Sequence, residues 1–203
     1  MPVPRTPEPT MKRTLPALAL AAAALPALAA DEFRFDAGHT YIGFEIDHLG
    51  FSRTLGEFLK YEGTLVLDRE NLARSSIEVS IDAASIDTDQ EDFDEHLRSA
   101  DFFDVANHPT MRFKSTKVED LGNGRLKVTG DFTMLGKTHP VVLDVSMNKV
   151  APHPFRPTIE VAGFSARTTL DRTQWGMDKY APAVGKDVSI RIETEFNRPI
   201  PAQ

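Results

Sequence analysis

Along most of the chain, apolar and polar residues alternate in short runs separated by glycine, asparagine, aspartate and proline. In the first run, Ile42, Phe44 and Ile46 fall on one side of an extended chain, and Glu45 and Asp47 fall on the other. A period of two is typical of antiparallel strands that bury one face, and the runs together predict about eight strands. The later runs are Leu65 and Leu67; Ile77, Val79 and Ile81; Met111 and Phe113; Leu126 and Val128; Val141, Leu143, Val145 and Met147; Ile159 to Leu170; and Val188, Ile190, Ile192 and Phe196.

The runs and the turns between them predict one all-β domain. Asn123-Gly124 is typical of a two-residue type I′ hairpin turn. Composition does not shift along the chain, so we expect a single domain over residues 30–198 and a loose tail at 199–203. The even spacing of the strands fits a sandwich or a closed antiparallel barrel. The barrel is favoured because closure removes the exposed edges that the strands would otherwise have to protect.

One segment breaks the alternation and predicts a short helix. Thr88 and Glu91 have the spacing of a capping box, which would start the helix. Apolar positions then recur at helical spacing and would pack against the sheet. These positions are Phe93, His96, Leu97 and Ala100.

The first 29 residues have the order of a secretory signal peptide. A basic pair, Lys12-Arg13, precedes an apolar run over residues 15–25, and small residues then lead to a cleavage site after Ala29. The apolar run is shorter than a typical membrane span. Because the basic pair directly follows Met11, translation is expected to begin there. We therefore expect a cleaved signal peptide at residues 1–29 and a periplasmic location.

Charge and cysteine content exclude several classes of protein. The chain has 30 acidic and 23 basic side chains, a formal charge of −7; removing residues 1–29, with three basic residues and one acidic residue, makes it −9. No concentrated basic face is present to hold phosphates, so nucleic acid is not an expected partner. The absence of cysteine excludes disulfides, iron–sulfur clusters, thiolate zinc sites and cysteine nucleophiles.

The histidines give little support to a metal site or a catalytic base. None of the six has the spacing of a known metal-binding motif, so we expect no metal and no cofactor. One alternative stays open from the residues alone. His39 and His48, near the ends of the first strand, would with Glu45 or Asp47 form a site that acts on a bound lipid head group.

Other candidate catalytic and calcium motifs are incomplete. The acidic cluster over residues 87–95 is not an EF-hand, because Asp92 and Arg98 stand where glycine and glutamate are required. Acidic residues near a helix start are favoured by the helix dipole, which explains the cluster. Neither Gly-Phe-Ser triplet, at 50–52 or 163–165, continues into the G-x-S-x-G motif of serine hydrolases. None of these motifs supplies catalytic residues, and we predict none. A pair of catalytic carboxylates stays open as an alternative, because the 29 acidic residues that remain after residues 1–29 are removed allow many pairs, although none stands out.

The inner face of the predicted barrel is the remaining candidate site. A barrel of about eight strands is near the size at which its interior is either filled by side chains or encloses one small ligand. From the residues alone, the inner face is either packed core or the wall of a cavity for an alkyl or prenyl chain. The candidate ligand-binding residues are Ile42, Phe44, Ile46, Ile77, Val79, Ile81, Met111, Phe113, Val128, Phe132, Val145, Met147, Phe164, Ile190 and Ile192.

Four stretches, in order, resemble the YceI-like family of bacterial exported proteins. They are residues 39–58 (HTYIGFEIDHLGFSRTLGEF), 85–113 (SIDTDQEDFDEHLRSADFFDVANHPTMRF), 128–142 (VTGDFTMLGKTHPVV) and 163–176 (GFSARTTLDRTQWG). The resemblance implies an extended lipocalin-like eight-stranded antiparallel β-barrel with a short helix between strands and an elongated apolar tunnel. It also implies binding of polyisoprenoids or other long-chain amphiphiles, without a defining catalytic set. Two departures are Trp175, where Phe or Tyr is more usual, and His139, where Lys is common.

Two groups of residues have two interpretations each. The polar segment either closes one end of the barrel through ion pairs of Arg98 or lies at the ligand mouth. Four phenylalanines either close the entrance or only pack the helix. The segment comprises Asp94, His96, Leu97, Arg98, Ser99, Asp101 and Phe102, and the phenylalanines are Phe51, Phe58, Phe93 and Phe103.

The sequence therefore predicts an exported binding protein that carries, stores or protects a long-chain isoprenoid or fatty-acyl ligand. It is not expected to be an enzyme or to span a membrane. The alternatives are an enzyme that acts on the bound lipid, and an interaction protein that docks to a membrane redox partner through its acidic surface.

Overall fold

A computed structural model of the chain describes residue 1 and residues 30–200. This part of the chain forms an 11-stranded antiparallel sheet and one α-helix. The strands are β1 (Asp31–Phe35), β2 (Tyr41–His48), β3 (Ser52–Phe58), β4 (Tyr61–Leu67), β5 (Ser76–Asp82), β6 (Ile86–Asp87), β7 (Thr110–Asp120), β8 (Arg125–Met134), β9 (Lys137–His153), β10 (Arg156–Asp171) and β11 (Val184–Pro199), and the helix is α1 (Glu91–Arg98).

Eight of the strands close into a barrel, which confirms the predicted fold class. The ring runs in the order β1-β4-β5-β7-β8-β9-β10-β11 and closes where β1 pairs with the end of β11. The closing pairs are Arg34 with Asn197 and Phe35 with Phe196. Closure leaves the ring without the long unpaired edges that favour aggregation.

The remaining strands extend the barrel along one side. Strand β2 pairs with the first part of β11, from Val184 to Glu193, and β1 pairs with its last part. A short 3-10 turn, Ala37–His39, separates β1 from β2, so the two strands form one interrupted row along β11. In the same way β3 pairs with β2 while β4 pairs with β1, and the short strand β6 pairs with the end of β3.

The predicted hairpin at Asn123-Gly124 is confirmed. Both residues have positive φ, 54° and 73°, and the Arg125 N–H donates to the Gly122 carbonyl at 3.0 Å, as a type I′ turn requires. Leu49-Gly50 and Leu135-Gly136 adopt positive φ at the same two turn positions, although a leucine there is not a typical turn signal.

The short helix is confirmed, but the predicted capping box is wrong. Helix α1 begins at Glu91 with Gln90 as its N-cap, so Glu91 lies too early to act as the third helical residue. The side chain of Asp94 instead reaches back and accepts hydrogen bonds from the N–H of Thr88 at 2.9 Å and its hydroxyl at 2.7 Å. The helix ends at Arg98, so the predicted helical position Ala100 lies beyond it.

The end of the barrel where β1, β10 and the last part of β11 meet is filled by side chains. Phe33, Ala162 and Phe196 are at most 1% exposed there, and they pack with Leu65, Leu67 and Phe164. An ion-pair network covers this end. In it, Asp31 and Glu160 each contact both Arg69 and Arg198. Burial raises the pKa of Glu160, but hydrogen bonds from the two arginines outweigh it and leave the pKa below its usual value.

The predicted loose tail is partly wrong. Strand β11 continues to Pro199, which pairs with Ile159, and the Ile200 N–H donates to the Thr158 carbonyl at 2.8 Å. Ordering of this segment follows from its pairing with β10. Residues 201–203 and, apart from Met1, the predicted signal peptide at 1–29 lie outside the described residues. Among the described residues, no helix is both long and apolar enough to cross a bilayer.

Candidate ligand-binding cavity

The barrel encloses an apolar cavity of about 820 Å³. Its wall follows the pleat of the strands, because every second residue of each strand faces inward. Even-numbered residues of β8, β10 and β11 line it, and odd-numbered residues of β5 and β9 do so. In β7 the inward positions change from Met111 and Phe113 to Val118, because a β-bulge shifts the register between Ser115 and Lys117.

The structure brings nearly all the predicted inward-facing residues together around this cavity. Met147 is the exception, and its predicted place in the lining is wrong. It is paired with Phe164 and packs against the side chains that fill the closed end. The alternation of residues indicates whether a side chain points inward or outward. It does not indicate whether the barrel is hollow or filled at that height. The predicted residues that line the cavity are Ile42, Phe44, Ile46, Ile77, Val79, Ile81, Met111, Phe113, Val128, Phe132, Val145, Phe164, Ile190 and Ile192.

Sequence reasoning missed two kinds of lining residue. The first kind continues strands already recognised, and the same alternation could have found most of them. The second kind comes from the β2–β3 hairpin, from helix α1 and from the β10–β11 loop, which no periodic pattern relates to the barrel. The first kind includes Leu65, Leu67, Leu126, Met134, Val141, Leu143, Ala166, Leu170, Val184 and Val188, and the second includes His48, Thr54, Leu55, Gln90, Arg172, Met177 and Tyr180.

Two glycines in the wall leave space for aromatic rings from the neighbouring strands. A Cβ atom at Gly56 would overlap the ring of Phe44, and one at Gly130 would overlap the ring of Phe113. The rings therefore occupy space that a larger residue in the neighbouring strand would fill. This close approach leaves room in the centre of the barrel that the rings would otherwise take.

Exposed lining residues show where the cavity opens. Apart from Ser76, they all belong to the β2–β3 hairpin, the start of α1 or the β10–β11 loop. We call this group the rim. It comprises His48, Ser52, Arg53, Leu55, Gln90 and Tyr180. The rim is at the end opposite the filled end and carries polar and charged side chains, whereas the wall of the chamber is mostly apolar. Three polar lining residues, Ser75, Ser76 and Thr194, lie near the filled end. A long-chain amphiphile likewise combines a polar end with an apolar chain.

The segment after α1 and the β10–β11 loop meet beside the rim. His96 and Phe102 stack edge to face with ring centroids 5.0 Å apart, and Tyr180 lies 6.3 Å from Phe102. Lys179 Nζ is 3.0 Å from Asp101 Oδ2. The hydrogen bond from Lys179 lowers the pKa of Asp101, with a smaller contribution from His96.

Arg172 holds the β10–β11 loop in shape. It is 3% exposed, and its guanidinium donates to the carbonyls of Met177, Lys179, Val184 and Gly185 at 2.6–3.2 Å. Burial lowers the pKa of Arg172. These hydrogen bonds assign it a role in positioning the loop that carries Tyr180.

Residues of the polar segment both tie α1 to the barrel and line the cavity. Arg98 pairs with Glu91 at 2.9 Å and donates to the carbonyls of Ala84 and Ile86, so it ties α1 to the barrel. His96, Leu97 and Phe102 line the cavity. Of the four phenylalanines, Phe58, Phe93 and Phe103 line the cavity as well, whereas Phe51 is 88% exposed at the tip of the β2–β3 hairpin.

The structure does not bring His39 and His48 together. His39 precedes β2 and His48 is the last residue of β2, so the whole strand separates them. His48 belongs to the rim, whereas His39 Nδ1 lies 3.1 Å from Asp36 Oδ2.

Asp36, His39 and Glu195 form a group whose ligand atoms lie within 4.8 Å of one another. Asp36 also accepts from the Gly38 N–H at 3.0 Å and from the Asn197 amide at 2.7 Å. Burial raises the pKa of Asp36, but the hydrogen bond with His39, together with those from Asn197 and Gly38, outweighs burial and lowers the pKa overall. The contacts join the break between β1 and β2 to β11, which is a structural role.

Comparison with known proteins agrees with this architecture. A family model described as the YceI-like domain matches residues 33–196. The chain belongs to the YceI-like family. The protein is 36% identical over 187 residues to a protein of Vibrio cholerae called UPF0312, a match that covers 90% of this chain and 98% of the relative.

Solved structures share the fold of this YceI-like chain. A Campylobacter jejuni YceI protein superposes with a TM-score of 0.67 at 28% identity, covering 77% of this chain and 91% of that one. A domain from Saccharophagus degradans, described as polyisoprenoid-binding and implicated in plant cell wall breakdown, superposes with a TM-score of 0.59 at 13% identity. That match covers 82% of this chain and 98% of the domain, and it concerns the fold alone.

Proposed function

We propose that this YceI-like protein is a periplasmic binding protein that encloses the hydrocarbon chain of a polyisoprenoid or similar long-chain amphiphile. The observation that carries the proposal is the cavity of about 820 Å³, whose wall is mostly apolar and whose rim carries His48, Arg53 and Gln90. A chain inside it would be removed from water, and each buried methylene favours binding by about 0.8 kcal/mol. The polyisoprenoid binding described for the Saccharophagus degradans domain, which has the same fold, supports this ligand class.

The cavity volume sets an expected chain length. At about 30 Å³ per non-hydrogen atom, close to the volume of a liquid water molecule, the cavity holds on the order of 27 atoms. This corresponds to about five isoprene units. The polar head group would then lie at the rim, near His48, Arg53 and Tyr180. A binding role without catalysis is consistent with the separation of His39 from His48.

Binding of isoprenoid alcohols of increasing length tests the proposal. We expect affinity to rise with each added isoprene unit and to stop rising near about five units, when the cavity is full. Affinity is measured by tryptophan fluorescence or calorimetry on protein purified without detergent. Affinity that does not depend on chain length would contradict enclosure of the chain.

Two neighbouring positions on β9 give a matched pair of variants. Leu143 lines the cavity, whereas Val142 points outward and is 44% exposed. Leu143→Trp should fill part of the cavity and shorten the longest chain that binds, while Val142→Trp should leave chain length unchanged. Thermal unfolding of both variants separates loss of cavity space from loss of folding.

Export is a separate part of the proposal and rests on residues 1–29. Expression of the full chain in a Gram-negative host, followed by fractionation and amino-terminal sequencing, tests it. We expect a periplasmic protein that begins at Ala30. Retention of residues 1–29 on a cytoplasmic protein would contradict export and would leave the binding proposal unaffected.

A further inference from the structure

We propose that the tip of the β2–β3 hairpin docks the protein on a neutral lipid bilayer and brings the rim to the membrane surface. The tip is defined as Leu49, Gly50 and Phe51. This inference rests on the proposed function, because it concerns how a membrane-dwelling ligand reaches the cavity.

The tip presents apolar side chains on a well-defined turn. Phe51 is 88% exposed and Leu49 is 48% exposed. The Phe51 N–H donates to the His48 carbonyl at 3.0 Å, and the Gly50 N–H donates to Asp47 Oδ1 at 2.9 Å. These bonds fix the turn while both apolar side chains remain in water, which is unfavourable unless another apolar phase covers them.

The tip directly adjoins the rim, because the rim residues His48 and Ser52 flank it on β2 and β3. Leu55, four residues beyond Phe51 on β3, is 62% exposed and also lines the cavity. Tyr180 is 53% exposed and lines the cavity from the β10–β11 loop. With the tip in the interface, the opening of the cavity would lie at the membrane surface, so a hydrocarbon chain would cross only the rim between the bilayer and the cavity. A lipid surface is therefore the occupant that the position of the exposed Phe51 and Leu49 beside the rim favours.

The charges around the rim favour a neutral surface over a charged partner. Arg53 lies 3.5 Å from Glu45, Lys179 lies 3.0 Å from Asp101, and Lys186 lies 2.8 Å from Asp171. Each of these cations is already paired with a carboxylate. Docking should therefore depend on apolar contact, tolerate salt and require no anionic lipid.

The chain offers a matched control at the opposite end of the barrel. Phe155 lies in the β9–β10 turn and is 88% exposed, as Phe51 is. The two phenylalanines lie near opposite ends of β11, whose 16 residues span about 50 Å. Phe51→Ser and Phe155→Ser therefore remove the same side chain with the same exposure at the two ends.

The test is co-sedimentation with phosphatidylcholine vesicles. We expect vesicle binding by the unmodified protein, a loss of about tenfold or more in Phe51→Ser, and no loss in Phe155→Ser. Equal binding by the two variants, or no vesicle binding by the unmodified protein, would overturn the proposal. Sedimentation velocity without vesicles identifies the competing occupant: self-association that Phe51→Ser abolishes would make the tip a contact between copies and would also overturn it.

A second measurement separates this inference from the proposed function. Uptake of a fluorescent isoprenoid alcohol is followed both from free solution and from the same vesicles. We expect Phe51→Ser to retain uptake from solution and to slow uptake from vesicles about tenfold. Vesicle binding without any isoprenoid uptake would contradict the proposed function and leave docking supported. Equal uptake rates from vesicles by both variants would count against docking.

Discussion

At the scale of single residues, the two departures from the family pattern turn out to be in contact. The Trp175 side chain is 2% exposed, and its Nε1–H donates to the Phe132 carbonyl at 3.2 Å. The imidazole of His139 packs edge to face against the indole with ring centroids 5.1 Å apart. The two residues therefore act as one packing unit between the β10–β11 loop, which carries Trp175, and β9, which carries His139. Because Trp175 and His139 are far apart in the sequence, the sequence alone does not indicate this contact.

A double-mutant cycle tests that unit. Trp175→Phe and His139→Lys, the residues more usual in the family, should each lower the free energy of unfolding. The combined variant should lose less than the sum, with a coupling energy of about 0.5–1.5 kcal/mol for the aromatic pair. Urea unfolding measures the free energy of unfolding of the unmodified protein, the two single variants and the double variant. Losses that add within about 0.3 kcal/mol would show that the contact is energetically unimportant.

Asp171 makes the stability of the β10–β11 loop depend on pH. Hydrogen bonds from Lys186 and Thr173 lower the pKa of Asp171 from 3.8 to about 2. Its carboxylate also caps the Arg172–Trp175 turn by accepting from the Thr173 N–H at 3.1 Å. A carboxyl whose pKa is lowered by folding stabilises the protein above its unfolded pKa, and this contribution is lost as pH falls through the folded pKa.

We therefore predict that Asp171→Asn lowers Tm at neutral pH. The difference from the unmodified protein should shrink between about pH 4 and about pH 2, because the native carboxyl then becomes protonated as well. Circular dichroism melts across this range measure the effect. Asp187→Asn is the control, since Asp187 also lies beside Lys186, at 3.7 Å, but does not cap the turn. A Tm difference that persists unchanged at about pH 2 would contradict a stabilising role for the ionised carboxylate of Asp171.

At the scale of elements, the alternation of apolar and polar residues predicted strands well where one face of the strand is apolar and the other is polar. It missed β1, β3 and β6. In β3 the inward positions are Thr54, Gly56 and Phe58, paired with Ile46, Phe44 and Ile42. The Phe44 ring occupies the space beside Gly56, where a Cβ atom would overlap it. The inward face of β3 therefore has a glycine in place of an apolar side chain, and the sequence pattern of a strand is interrupted there. The helix was predictable from its period, but its start was not. The N-cap residue Gln90 makes no side-chain cap hydrogen bond, and Asp94, inside the helix, instead accepts hydrogen bonds from Thr88 before it.

The hydrogen bonds from Thr88 to Asp94 should stabilise helix α1, whose N-cap residue Gln90 belongs to the rim. Asp94 is 3% exposed, and Asp94→Ala would leave the N–H and hydroxyl of Thr88 without their acceptor. We expect the free energy of unfolding to fall by about 1–3 kcal/mol and the Thr88 amide to exchange faster with solvent. Asp92→Ala, an exposed acidic residue in the same helical turn, should cost only a few tenths of a kcal/mol. Equal effects of the two substitutions would assign the loss to the helix dipole instead.

At the scale of the whole molecule, the barrel and its cavity depend on pairings that no local pattern specifies. Strand β11 pairs with β2 along its first part and with β1 along its last part, and these contacts join opposite ends of the chain. Inward and outward residues alternate in the same way in a filled barrel and in a hollow one, so the sequence pattern does not distinguish the two. Closure at Phe33 and Phe196 and the open chamber beyond them follow from register and bulges, which only the structure gives.

The most direct test of the central claim is mass spectrometry of the protein purified without detergent from its native host. Native spectra give the mass of the intact complex, and organic extraction releases and identifies any small molecule. The account predicts a long-chain isoprenoid or similar amphiphile at one molecule per protein, which the Leu143→Trp variant retains less well. Protein without a bound lipid, together with no rise in Tm when isoprenoids or fatty acids are added, would contradict a carrier and leave the barrel as a scaffold for interactions.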